Sequence, residues 1–171
     1  SETFSAIIDP LSEIDMDPVW SLLSNKKILK VFHAGRQDLE IFLNLTGKIP
    51  EPIYDTQVAA MFCGLGDQVG YERLVYKFLG LRVDKASQYT NWLQRPLTIS
   101  QLQYALSDVT YLIKIFPLIK KLIKDCDREA WVEKEIQSLN NINLYSINPK
   151  KIWQRIKIKN PTREVLNILK Y

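Results

Sequence analysis

Residues 95–116 read RPLTISQLQYALSDVTYLIKIF, and the fold turns on how this stretch is understood. Thr98, with Gln101 three residues on, forms a capping box at a helix start. Ile99, Leu102, Leu106, Val109, Leu112, Ile113 and Phe116 then recur at helical spacing. The pattern predicts one long helix, bent at Pro117, that reaches about Asp125. Tyr104 and Asp108 are four residues apart and so share a face, and Tyr111 and Ile115 prolong that stripe. Taken alone, the plainer account of the pair is a core tyrosine with a polar tip beside a solvated aspartate. The sharper account is a metal-binding carboxylate with a phenol aimed at a water. The rest of the chain has to choose between them.

Upstream, the pattern is α/β. Residues 3–8 (TFSAII) read as a short apolar strand ending at Asp9-Pro10, and Asp17-Pro18 starts a short helix with proline in its first turn. A second strand, 28–32 (ILKVF), runs into the turn His33-Ala34-Gly35. That turn opens a helix over 37–46, stopped by Gly47. Ile53-Tyr54 is a brief strand, Asp55 caps a helix through Val58, Met61 and Phe62, and a further helix spans 71–79. Residues 81–97 are irregular, with Trp92 as their anchor. Downstream, a helix over 128–139 is followed by a polar linker at 140–148, and Asn148-Pro149 and Asn160-Pro161 start two short helices. The strands are few and short and the C-terminal half is helix-rich, with a domain boundary between 1–139 and 140–171.

Composition narrows the classes. A chain of 171 residues, 46% hydrophobic and 25% charged, is of ordinary globular type, one domain with an appendage. No apolar run approaches the roughly 18 residues of a membrane span, and no signal peptide opens the chain, so the expectation is a cytoplasmic protein with no membrane partner. Cys63 and Cys126 have no CxxC partner and read as reduced thiols. His33 is the single histidine, which argues against a His-rich zinc site. The net charge of +4 is polarised. Glu2, Asp9, Glu13, Asp15 and Asp17 stand alone in the first 25 residues, whereas Lys150, Lys151, Arg155, Lys157, Lys159, Arg163 and Lys170 face only Glu164 in the last 24. That basic end, with Trp153 and Tyr171, is a candidate phosphate contact, or a solvated amphipathic helix.

A second chemical candidate is Asp38, in HAGRQD. It falls in the first turn of a helix at the carboxyl end of a strand, where open α/β sheets place ligands. Alone it is explained by the helix dipole and by capping, and the same explanation serves Asp55 in YDTQ. His33 and Arg36 beside Asp38 are candidate phosphate contacts, although a histidine after a strand is more often a satisfied turn residue.

In their order and approximate spacing, HAGRQDLEIF (33–42), PIYDTQVAAMFCG (52–64) and NWLQRPLTISQLQYALSDVTYL (91–112) resemble ribonuclease D. That family belongs to the DEDD superfamily of 3′–5′ exonucleases, in the branch whose third motif is Tyr-x-x-x-Asp, and the resemblance runs from about Phe4 to Leu122. It implies a ribonuclease H-like α/β fold and hydrolysis of phosphodiester bonds from RNA 3′ ends, tRNA precursors among them. It also implies two divalent cations, Mg²⁺ or Mn²⁺, at the ends of central strands. Asp38 matches the second-motif carboxylate and Asp108 the third, both metal ligands, while Tyr104 matches the tyrosine that positions the attacking water. The residue types suit such chemistry, since hard cations take oxygen ligands and a pair of them clamps the attacking and leaving oxygens.

The pattern departs from the family in one place. The first motif, Asp-x-Glu on a strand, has no counterpart here. Asp127-Arg128-Glu129 lies at a helix start, where side chains two apart diverge by about 200°, so it cannot stand in. The expectation is therefore an N-terminally incomplete sheet holding two of four metal carboxylates. An RNA-binding remnant, or one half of a split exonuclease, stands as the alternative to a working enzyme. An open sheet edge would then invite a homodimer or a complementing N-terminal segment. Residues 140–171 are expected to reach only the connecting helices of the nucleic-acid-binding domains that follow in the family.

Overall fold

Two parallel strands frame the molecule. β1 (Lys30–Phe32) and β2 (Ile53–Asp55) are joined through α2 (Arg36–Thr46), the kind of crossover that parallel pairing requires. The register pairs Lys30 with Ile53, Val31 with Tyr54 and Phe32 with Asp55, so Asp55 stands beside the point where β1 turns into α2. The computed structural model describes residues 4–145 together with 162, 164 and 165. Before β1 lies α1 (Asp17–Ser24), with proline in its first turn as expected. After β2 come α3 (Thr56–Phe62), α4 (Tyr71–Leu79), α5 (Ile99–Thr110), α6 (Leu112–Asp125), α7 (Glu129–Ser138) and a 3₁₀ turn at Ile142–Leu144. The chain divides into two compact units, Ser1–Asn140 and Asn141–Tyr171, and the site lies in the first.

Helix α6 is the centre of that unit, packed against α3, α4, α5 and β1. Leu112, Ile115, Ile119 and Ile123 form its buried stripe, each such side chain contributing about 1.5–3 kcal/mol. Ala59 and Ala60 on α3 are wholly buried and let that helix approach closely, while Leu74 and Val75 of α4 complete the core.

Two expectations are corrected. Residues 4–8 form no strand, and Phe4 is 76% exposed. A strand exists through its ladder partner, and among the described residues none pairs with this segment. It is tethered instead at Asp9, whose carboxylate accepts two hydrogen bonds from Arg95, just ahead of α5. The predicted long helix continues through Pro117, which is exposed on α6, but it is not one element. It breaks at Tyr111. The cause lies on α4, where the Tyr71 hydroxyl shares its proton between the carbonyls of Ser107 and Asp108, 2.9 Å from each. The Asp108 carbonyl, which the Leu112 amide would take in an unbroken helix, is thus engaged by a side chain, and a side chain entering the i→i−4 ladder is a recognised cause of helix breaks. The two short helices predicted after Asn148 and Asn160 lie outside the described residues, apart from the helical Glu164 and Val165.

Candidate active site

The turn from β1 into α2 carries the first half of the site. Ala34 adopts φ +57°, a left-handed conformation that costs an alanine roughly 1–2 kcal/mol. Asp55, at the end of β2 and only 4% exposed, holds it there. Its Oδ1 accepts the Ala34 amide at 3.1 Å and the Gln57 amide at 2.8 Å, and its Oδ2 accepts the Gly35 amide at 2.8 Å. One carboxylate thus caps α3, as the sequence predicts, and also pins the start of α2, which the sequence does not show. At Gly35 there is no room for a side chain, because a Cβ would stand 2.6 Å from the Phe32 Cβ. Gly35→Ala is expected to cost about 1–3 kcal/mol and to lower Tm by roughly 5 °C, read by scanning calorimetry.

Asp38 follows in the first turn of α2, open to solvent at its edge. Lost solvation nevertheless raises its pKa above the usual carboxylate value, the nearby charge of Asp55 adding to the effect. Asp108, near the end of α5, behaves alike: lost solvation raises its pKa first, and the charge of Asp38 raises it further. Two carboxylates from distant parts of the chain therefore stand within each other's electrostatic reach. Tyr104 sits one turn from Asp108 on α5, its ring 5.9 Å from that of Trp92. Burial and then the Asp108 charge raise its pKa, so the phenol keeps its proton at neutral pH. The expected capping box is formed, the Thr98 Oγ1 accepting the Gln101 amide at 3.2 Å and the Gln101 Oε1 accepting the Thr98 amide at 2.9 Å. The Gln101 Nε2 also donates to Thr90 and to the Asn91 carbonyl, which fixes the Trp92 loop against α5.

His33 points inward. Its Nδ1 lies 3.0 Å from the Thr56 Oγ1, and that hydroxyl lies 3.0 Å from the Phe32 carbonyl. Burial lowers the His33 pKa and keeps the ring neutral at pH 7. Its Nε2 is buried without a hydrogen bond, the Val69 carbonyl lying toward it, and its ring packs 5.4 Å from that of Tyr71. Arg36 is exposed at the first position of α2. Glu129 of the Asp-x-Glu stretch lies by Tyr54, and Asp127 occupies the turn before α7 at φ +54°. A groove of about 620 Å³ between β2, α6 and α7 is lined by Ile53, Ile123, Val132 and Ile136 and includes none of Asp38, Tyr104 or Asp108. Among the described residues no three His, Cys, Asp or Glu side chains gather as a metal cluster. Sequence reasoning passed over Tyr71 and Thr56, because no motif marks either and their partners lie far along the chain.

The model of the 3′–5′ exonuclease family matches residues 2–124. The chain belongs to that family. This exonuclease chain is 47% identical over 168 residues to ribonuclease D of Zymomonas mobilis, covering 97% of itself and 43% of that relative. Among solved structures it is similar to Escherichia coli RNase D, an exoribonuclease involved in structured RNA processing, with a TM-score of 0.78 and 34% identity over 85% of this chain and 39% of that one. It is also similar to Brucella melitensis NrnC bound to pGG, with a TM-score of 0.68 and 25% identity over 83% of this chain and 68% of that one. The exonuclease chain thus spans about two fifths of the length of the ribonuclease D relatives it matches. The kinship and the ribonuclease H-like fold expected from the three motifs are both borne out. No helix among the described residues is long and apolar enough to cross a membrane.

Proposed function

We propose that this chain acts as a 3′–5′ exoribonuclease of the ribonuclease D type, hydrolysing the terminal phosphodiester bond of RNA and releasing nucleotides one at a time. The observation that carries the reading is that Asp108 lies within reach of the charge of Asp38, from a separate element, with Tyr104 one turn from Asp108. Burial and the Asp38 charge make the Asp108 carboxylate costlier to ionise, and the two together form a hard-oxygen donor set whose repulsion a divalent cation would relieve. Asp38 and Asp108 would hold such an ion, Mg²⁺ or Mn²⁺, whose chemistry is to stabilise negative charge on phosphoryl oxygens. The protonated Tyr104 hydroxyl then orients a water as a hydrogen-bonding partner and is no base. Exposed Arg36 suits a backbone phosphate, whereas the inward His33 serves the site's framework. Structured RNAs with a free 3′ end, tRNA precursors first, are the substrates we assign. The unbridged Cys63 and Cys126 fit an intracellular setting.

The second reading is an RNA-binding unit completed by a further strand, and one observation favours it. β1 pairs only with β2 among the described residues, so its other edge is where a complementing strand or a second copy would join. A 3′-trimming assay on labelled single-stranded RNA with millimolar Mn²⁺ decides between them. The enzyme reading expects EDTA-sensitive mononucleotide release, with kcat falling roughly 10²-fold in Tyr104→Phe at unchanged KM. Salt-sensitive RNA binding without trimming, cured only by an Asp-x-Glu peptide added in trans, would favour the split protein.

A further inference from the structure

We propose that Tyr71 is a positioning residue for Asp108, its hydroxyl acting as a wedge that sets the direction of that carboxylate. The inference rests on the exonuclease reading, in which Asp108 holds a metal ion. In an unbroken helix the Leu112 amide would bond the Asp108 carbonyl. Here the Tyr71 phenol takes that carbonyl instead, donating to the Ser107 and Asp108 carbonyls at 2.9 Å. The Tyr111 amide still reaches the Ser107 carbonyl, but at a long 3.4 Å. The break therefore falls three residues after Asp108, whose carboxylate feels the charge of Asp38, and it is made by a side chain from a third element.

The other end of the wedge is anchored to the half of the site that carries Asp38. The Tyr71 ring packs against His33, His33 bonds Thr56, and Thr56 bonds the Phe32 carbonyl at the end of β1. Phe32 pairs with Asp55, which holds the turn into α2. A continuous strut thus runs from the backbone that supports Asp38 to the backbone that supports Asp108. A core tyrosine that merely sought a partner for its hydroxyl needs one carbonyl. Two adjacent carbonyls at a helix break adjoining the site are what a wedge requires.

Tyr71→Phe keeps the ring on His33 and removes only the wedge, so the carbonyl of Asp108 is free to bond the Leu112 amide and the carboxylate swings from its place. Titration of Mn²⁺ into the wild-type chain, Tyr71→Phe and Asp108→Asn, alongside RNA trimming and thermal melts, tests this. The expected result is a loss of about 10-fold or more in both Mn²⁺ affinity and kcat for Tyr71→Phe, with KM for RNA and Tm close to wild type. Wild-type Mn²⁺ affinity in Tyr71→Phe, or a loss confined to Tm, would overturn the inference alone. A wild-type chain that binds no Mn²⁺, or an Asp108→Asn variant that binds it as well as wild type, would overturn the exonuclease reading and this inference with it.

Discussion

Asp108→Ala is expected to abolish nucleotide release from RNA 3′ ends, a loss of at least about 10³-fold, and yet to raise the melting temperature of the metal-free chain. The second half of that result follows from the sign of the pKa shift. Lost solvation and the Asp38 charge raise the Asp108 pKa in the folded state, so between the unfolded and folded values the native chain binds more protons than the unfolded one. Stability therefore falls as pH rises through that window, and at neutral pH the ionised carboxylate works against the fold. Alanine removes the repulsion and is the best helix former, in a helix that ends only two residues later. A rise of roughly 2–4 °C in calorimetry with EDTA is expected, and Mn²⁺ should reverse the order by binding only the wild type. An inactive variant that melts lower would instead make Asp108 part of the framework.

The largest stability loss is expected at Asp55. Asp55→Ala strands three amides, those of Ala34, Gly35 and Gln57, around a side chain that is 4% exposed. Losing the Gln57 cap costs about 1 kcal/mol, the buried Gly35 amide about 1–3 kcal/mol and the part-buried Ala34 amide about 1 kcal/mol, so a total of about 3–5 kcal/mol follows. Tm should drop by roughly 10 °C or more. Asp55→Asn should fall between, because its amide nitrogen cannot accept. Urea unfolding reads this as a lower midpoint at unchanged slope. An Asp55→Ala midpoint equal to wild type would mean that the left-handed Ala34 is held by something other than this carboxylate.

What was legible in the sequence is what short-range chemistry decides. The Thr98–Gln101 capping box and the helix ending at Gly80 formed as the residues required, because each depends on groups a turn away. Residues 4–8 misled because a strand needs a partner that local pattern does not supply. The break at Tyr111 was invisible because its cause, the Tyr71 phenol, comes from another helix. Asp55 was read as a cap, and only the register that sets it opposite Phe32 reveals its hold on the Ala34-Gly35 turn. That Asp38 lies within electrostatic reach of Asp108 could not follow from spacing within either helix. It was expected only from the family likeness of the motifs, and the electrostatic coupling of the two carboxylates agrees with it.

Crystals soaked in Mn²⁺ and measured at the manganese absorption edge would test the metal site itself. An anomalous peak between the Asp38 and Asp108 carboxylates, with oxygens about 2.0–2.6 Å away, is the predicted result. A map with no peak there at saturating Mn²⁺, or with the ion held by other side chains, would contradict it.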